Sequence, residues 1–341
     1  MISTILTWKN YRSGHFDWHI KGHEEAMYAG LNEILESETF DMMMGIFSPH
    51  FHFKHCAQFS AKFQIPFVMD FRDLWHNQTM NPNHEFPLRQ RKQHKWIQHY
   101  WKTWSENMSG FISVAPAFVD YLSTLFEKPG ISILNGFDGE RPDPIEKFAR
   151  FTIGHFGRLL PGKEIGPLMA GLAKFKNDHR RPINLVFYAA DDELQDRVIA
   201  MATQFGIAKM VSFQPKVPRK EAVRLMGLCH LLYYPPIIGH KGMYSAKIFD
   251  YLGSGSRLLI CPDDGDVVAN LVTDTATGEV LTTPMQVSNF IHRSYIEWED
   301  TGTVCCPGDP TAIFEFSRRE QVRKLADFLS KLASPSSHQN L

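Results

Sequence analysis

The chain has 341 residues, with 36 lysines and arginines against 37 aspartates and glutamates, for a formal net charge of −1. That length allows two domains with full-sized cores, and the near-neutral charge provides no global attraction to nucleic acid or to an anionic membrane. Apolar residues at 43% and charged residues at 21% are the proportions of a soluble globular protein, and no apolar run reaches the roughly 18 residues of a membrane span. The first residues carry Trp8, Lys9 and Arg12 without a long apolar segment, so they do not read as a secretory signal. Five cysteines (Cys56, Cys229, Cys261, Cys305 and Cys306) show no metal-ligand spacing and read as reduced core residues of a cytosolic protein.

In chain order, residues 1–8 allow a short strand. Residues 24–35 predict a helix, with Ala26, Leu31, Ile34 and Leu35 in a broken apolar stripe. Residues 40–47 are almost wholly apolar and predict a buried strand, which runs into Ser48, Pro49 and His50. A helix is expected over 53–63, with Cys56, Phe59 and Phe63 on one side, and a second strand over 66–71. That strand runs into Asp70, Arg72 and Asp73. Two acids flanking an arginine are costly in a core, so these three read either as an ion-pair set fastening a loop or as groups facing a ligand.

Residues 88–104 interleave Arg89, Arg91, Lys92, Lys95 and Lys102 with Trp96, Tyr100, Trp101 and Trp104. Such a helix suits peripheral contact with an anionic membrane or a lipid-linked acceptor. The favoured reading is nevertheless a surface helix packing its aromatics on a sheet, and the neutral overall charge argues against nucleic acid. A strand over 110–114 and an amphipathic helix with Phe118, Tyr121, Leu122 and Leu125 follow. The Pro- and charge-rich stretch 139–150 reads as a linker.

The second half alternates strand and helix, the pattern of parallel βαβ units. Strands are expected over 151–156, 183–189, 211–213, 230–234, 257–261 and 303–306, and helices over 193–205, 219–228, 245–252 and 318–332. The segment 273–301 reads as an insertion without a functional account. After the first of these strands come Gly157, Arg158 and, five residues after the arginine, Lys163. A glycine lets backbone approach a ligand closely, and two cations can neutralise a diphosphate. In the helix over 245–252, Ser245, Lys247 and Asp250 are the polar groups. Gly253, Ser254 and Gly255 stop it, and Asp266 is a good N-cap for the next helix. The loop 237–244, with two glycines, could offer backbone N–H groups to a phosphate or sugar, and His240 in it reads as solvent-facing.

Four spaced segments resemble the large retaining family of GT-B glycosyltransferases (family 4-like, glycosyl transferases group 1). Pro66, Asp70, Phe71, Arg72, Asp73 and Trp75 match its P-x-x-x-D-F-R-D-x-W pattern, and Ser48, Pro49 and His50 partly match the pattern that ends the preceding strand. Asn135, Gly136, Phe137 and Asp138 match the N-G-F-D that precedes the family's domain crossover. Gly157, Arg158 and Lys163 fit G-R-L-x-x-x-K. Ser245, Lys247, Phe249, Asp250, Tyr251 and Gly255 fit S-x-K-x-F-E-Y-L-x-x-G, with Asp250 where Glu is commoner and Gly242 where a second Glu often stands.

The resemblance implies an α/β fold of two Rossmann-like domains facing across a cleft (GT-B). Only about 40 residues precede the segment at Phe40, so the N-terminal domain is expected to be abbreviated. The implied boundaries are an acceptor-side domain over 1–138, a linker over 139–150, a nucleotide-sugar domain over 151–317, and a helix over 318–333 packing back toward the first domain. The implied reaction moves a sugar from a nucleotide-diphosphate donor to an acceptor hydroxyl with retention, in cell-surface polysaccharide or glycolipid synthesis. Gly157, Arg158 and Lys163 would hold the diphosphate, Asp250 the ribose, and Ser245 and Lys247 the phosphate or sugar. His50, Asp70, Arg72 and Asp73 would stand on the catalytic side. No metal and no cofactor beyond the donor substrate are implied, and the expected partners are the donor and a glycan or lipid-linked acceptor. The place is the cytoplasm, including the inner face of the plasma membrane. A non-catalytic GT-B-fold partner protein and a membrane-surface module are the alternatives.

Overall fold

The computed structural model describes residues 21–47, 50–72, 74, 88–139, 146–159, 164–189, 192–239 and 241–333. The expected strand at 1–8, and Ser48, Pro49, Asp73, Trp75, Lys163 and His240, lie outside them. The chain divides into two units, Met1–Leu134 with Val322–Leu341, and Asn135–Gln321.

In the first unit, α1 (Lys21–Ser37), β1 (Met43–Phe47), α2 (Phe51–Phe63), β2 (Phe67–Phe71), α3 (Leu88–Ser105), β3 (Gly110–Ser113), α4 (Pro116–Phe126) and β4 (Gly130–Ser132) follow in sequence. The strands form one parallel sheet in the order β1-β2-β3-β4. Every residue of β2 and β3 is buried, as a parallel sheet covered on both faces requires. Phe71 is the hub of an aromatic core, with Phe53, Trp101 and Phe126 at 4.7, 4.9 and 5.5 Å between ring centroids. The last helix, α12 (Arg318–Ala333), lays Leu325, Phe328, Leu329 and Leu332 against Val68, Ile112 and Ile133.

One expectation changes here. The strand read as buried over 40–47 is shorter, and Met44 and Ile46 are exposed. Among the described residues β1 pairs only with β2, so its outer side is an edge. The basic, tryptophan-rich helix is α3. It buries Ile97, Trp101 and Trp104 while Arg91, Lys92, Lys95 and Lys102 face solvent. Its aromatics therefore serve the core first.

The second unit contains β5 (Thr152–Phe156), α5 (Gly166–His179), β6 (Asn184–Tyr188), α6 (Asp192–Gln204), β7 (Val211–Gln214), α7 (Arg219–Leu228), β8 (Leu231–Tyr234), α8 (Ala246–Gly253), β9 (Arg257–Ile260), α9 (Val267–Asp274), β10 (Gly278–Val280), α10 (Pro284–Thr301) and α11 (Pro310–Phe314). Its six strands are all parallel, in the order β10-β9-β8-β5-β6-β7. The chain steps outward from β5 to β7, returns to the centre at β8, and steps outward the other way. The order thus reverses between β5 and β8, the position whose carboxyl edge forms a crevice in sheets of this type.

The segment 273–301, read as an insertion, supplies the sixth strand and the longest helix of this unit. Thr283 and Gln286 form a reciprocal capping box at the start of α10, and Val287, Phe290, Ile291 and Tyr295 join the core. Residues 303–306, expected as the last strand, are irregular. Gly302 turns the chain at φ 76° and only Val304 of this stretch is buried, leaving Cys305 exposed rather than in the core. In the stretch read as a linker, Lys147 donates to the carbonyls of Gly227 and Cys229 and to Ser256 Oγ, each at 2.9 Å.

The centre of the second unit depends on a small residue. A Cβ on Gly154, in the middle of β5, would stand 2.5 Å from the Cys229 sulfur. Gly154→Ala is expected to destabilise this unit by about 1–3 kcal/mol through overpacking. Adding Cys229→Ala should recover most of that loss, in urea unfolding of the four proteins of the cycle. Additive effects would show that the clash is relieved elsewhere.

Candidate functional site

β5 delivers its last residue, Phe156, to the carboxyl edge, and Gly157 then turns the chain at φ 83°. A side chain is strained in that conformation, so the glycine is required by the turn itself. Its N–H donates to Tyr188 O at 2.9 Å, which fixes the loop to β6. Arg158 follows with an exposed side chain.

α8 is bound to the same edge by two tyrosine hydroxyls. The Phe156 N–H donates to Tyr251 Oη at 2.8 Å. The Tyr234 hydroxyl donates to Ser245 Oγ at 2.9 Å and receives the Ser245 N–H at 3.3 Å. Ser245 occupies the N-cap position, yet its side chain does not cap α8; it is spent on Tyr234. Lys247 Nζ reaches across to Arg158 O at 2.9 Å and lies 3.4 Å from His155 Nε2. The structure therefore brings Gly157, Arg158, Ser245 and Lys247 to one edge.

Asp250, on the same helix, faces a different set of groups. Its Oδ1 is 2.7 Å from Arg219 Nη2, and Arg219 Nη1 is 2.7 Å from Asp138 Oδ2. Arg318 Nε completes the chain of charges at 3.0 Å from Asp138 Oδ1. The hydrogen bond to Asp250 is the main cause that raises the Arg219 pKa above its ordinary value. Asp138, Arg219 and Asp250 line a cavity of about 450 Å³ together with Phe137, Lys220, Val223 and Gly253. Gly253 lies inside α8 and meets Phe137, whose Cβ and Cγ stand 2.7 Å from where a Cβ would be. The chain turns instead at Gly255, φ 78°. Sequence reading missed Arg219, since a partner 31 residues away leaves no local pattern.

Beyond β9, the capping acid is Asp264 and not Asp266. Asp264 accepts from the N–H groups of Val268 and Ala269 at 3.1 and 3.0 Å. Asp266 instead accepts from Gly242 N at 2.6 Å and so anchors the loop that precedes α8.

The candidates of the first unit sit in a drier setting. His50 is 1% exposed, and its Nδ1 accepts from Trp101 Nε1 at 3.1 Å. Burial lowers its pKa to about 3. Asp70 is 7% exposed near the end of β2, with Oδ2 3.7 Å from Arg72 Nη1. Burial outweighs the attraction of Arg72 and raises the Asp70 pKa to about 6. Among the described residues no group of three or more His, Cys, Asp and Glu is placed to hold a metal ion, and no helix is long and apolar enough to cross a membrane.

No family model and no curated protein sequence matches this chain, but solved structures do. HepE of Anabaena in complex with UDP superposes with a TM-score of 0.62 at 17% identity, covering 84% of this chain and 78% of HepE. A glycosyltransferase of Rickettsia africae gives 0.64 at 13% identity, covering 90% and 81%. Sucrose-phosphate synthase of Thermosynechococcus elongatus gives 0.65 at 11% identity, covering 92% and 79%. At these identities the likeness is one of fold, and the fold is the GT-B type, built from two parallel-sheet α/β units.

The Asp70 environment has a measurable consequence. Between pH 3.8, its ordinary value, and about 6, the unfolded chain ionises this group while the folded unit resists. Stability is therefore lost as pH rises through that window. Asp70→Asn removes the loss, so it should be more stable than wild type by on the order of 2–3 kcal/mol at pH 7 and equal to it near pH 4. Urea unfolding at the two pH values reads this directly, and a difference independent of pH would contradict the burial argument.

Proposed function

We propose that the chain is a glycosyltransferase that moves a sugar from a nucleotide-diphosphate sugar to an acceptor hydroxyl. The observation that carries this reading is the meeting of Gly157, Arg158 and Lys247 beside α8, at the carboxyl edge where the strand order reverses. A glycine turn, an exposed guanidinium and an ammonium in one place suit a diphosphate better than any neutral ligand. Fold neighbours lend support: HepE has been solved with UDP and with UDP-glucose, and the pneumococcal O-GlcNAc transferase GtfA with UDP and GlcNAc.

In this reading Arg158 and Lys247, with Lys163, neutralise the charge that develops on the leaving nucleotide. Asp250 accepts from the ribose hydroxyls, its carboxylate already oriented by Arg219. Retention, a cytoplasmic site of action and a glycan or lipid-linked acceptor in cell-surface polysaccharide synthesis follow from the motif resemblance and belong to the same proposal. So does the absence of a metal, because cationic side chains do its work. Peripheral membrane contact through the exposed Arg91, Lys92, Lys95 and Lys102 of α3 is part of it as well. The burial of His50 and Asp70 favours one second reading, a GT-B-fold protein that binds a donor nucleotide without turning it over.

Thermal unfolding with UDP, GDP and ADP, and UDP-glucose hydrolysis or transfer, test the proposal. A nucleotide at 100 times its Kd should add about 2.7 kcal/mol of stability. Arg158→Ala should weaken that nucleotide about tenfold or more, in line with a charge-assisted contact. Binding without sugar release selects the second reading. No stabilisation by any of the three nucleotides would end both.

A further inference from the structure

His155 is fully buried in the middle of the second unit's sheet, between Gly154 and Phe156. Phe187 and Tyr233 flank its ring, with centroids at 5.6 and 5.8 Å. Its Nδ1 lies 3.0 Å from Tyr233 O. A carbonyl oxygen only accepts, so Nδ1 carries the proton. Its Nε2 lies 3.4 Å from Lys247 Nζ. An ammonium only donates, so Nε2 presents a lone pair. One tautomer satisfies both neighbours, the neutral Nδ1–H ring. A doubly protonated ring would set two cations against each other away from water, which low-dielectric surroundings make costly.

We propose that His155 is a positioning residue that fixes the Lys247 ammonium beneath the Gly157–Arg158 turn, ready for the diphosphate of a nucleotide sugar. This rests on the reading of that turn as the donor site. His155 acts through Lys247 and is placed below it in the sheet. The geometry supplies a reason for a polar ring in a strand that is otherwise lined for packing. A lysine side chain has a long flexible stem, and ordering it on ligand binding costs affinity. Two acceptors, His155 Nε2 and Arg158 O, order it beforehand. Tyr233 O holds the ring from the other side, so the chain of contacts runs from backbone through ring to ammonium without a rotatable gap.

The test has a ligand-free arm and a ligand arm. Side-chain ¹⁵N NMR of the histidines at pH 7 should show His155 as the Nδ1–H tautomer. In Lys247→Met the Nε2 signal should shift to that of a lone pair without a donor, while Nδ1 stays protonated. An Nε2–H tautomer, or an Nε2 signal indifferent to Lys247→Met, overturns the proposal. In the second arm, UDP is titrated into wild type, His155→Phe, Lys247→Met and the double variant. His155→Phe should weaken UDP five- to tenfold alone and have no further effect when Lys247 is already Met. His155→Gln, which keeps a donor and an acceptor, should retain most of the affinity, and His155→Leu replaces His155→Phe should that variant not fold. Equal losses in both backgrounds overturn the positioning role. Absence of UDP binding to the wild type, with the expected tautomer and its response to Lys247→Met, overturns the donor-site reading and leaves the His155–Lys247 contact supported.

Discussion

The hydrogen bond from the Phe156 N–H to the Tyr251 hydroxyl is the constraint on which the second unit's candidate site depends. Phe156 is the last residue of β5, and its N–H is buried. A buried donor left without an acceptor costs about 1–3 kcal/mol, so the Tyr251 hydroxyl is placed where the strand needs it. Its ring stands nearly perpendicular to those of Phe156 and Tyr234, at 82° and 84°, and so wedges between the ends of β5 and β8. α8 has only eight residues, well below the length at which a helix holds in isolation. Its direction is therefore imposed by Tyr251 and by the Tyr234–Ser245 pair. Lys247 lies one turn before Tyr251 on the same helical face, and this spacing delivers its ammonium to the Gly157–Arg158 turn.

The same helix geometry sends Asp250 elsewhere. It follows Lys247 by three residues and precedes Tyr251 by one, so it points about a quarter turn away from the β5 face. There it meets Arg219, which bridges it to Asp138. Arg219 is half exposed, so the pairs contribute little to stability. Their consequence is geometric. A guanidinium presents its donors in a rigid plane, and two carboxylates on separate segments, one before β5 and one on α8, are held to a common spacing. Arg318 ties the same Asp138 to the Gly136 carbonyl. Asp138, Arg219 and Asp250 thus set alternating charges along the wall of the 450 Å³ cavity, and any hydroxyl that reaches Asp250 finds its carboxylate already directed.

Much of this was legible in the sequence, and the failures have physical causes. The β/α alternation of residues 151–262 follows from apolar runs separated by Gly and Pro, because doubly covered parallel strands tolerate little else. α7 is found at the bounds expected for it, and the Gly157 turn and the polar positions of α8 are read from residue type alone. Residues 303–306 deceived because three apolar residues after a threonine carry no information on whether a sheet edge is within reach. β10 did the reverse: Gly-Glu-Val has weak strand character, and it is a strand because β9 offers unpaired backbone groups. Asp264 and Asp266 are both acceptable caps by type, and only the loop from Gly242 decides which one is free to cap. Arg219 and His155 could not be singled out, since both act on partners far along the chain. A histidine in a strand of apolar neighbours is a signal that a buried polar group needs two partners, but not of which ones.

The two units differ in what their candidate residues can do. In the second unit the cations sit at a sheet edge and the carboxylate on a cavity wall, where a ligand can replace water around them. In the first, His50 and Asp70 are enclosed, and their pKa values are displaced in the direction that makes each neutral. Desolvation disfavours charge whatever its sign, so the lowered histidine and the raised aspartate report the same dry surroundings. A neutral imidazole whose Nδ1 lone pair is taken by Trp101 is already committed on that nitrogen. Asp70 differs, because a pKa of about 6 leaves it able to change charge close to neutral pH. Of the first unit's described candidates, Asp70 with Arg72 beside it is therefore the pair whose chemistry could contribute to a reaction, while His50 serves the aromatic core on which that pair is mounted.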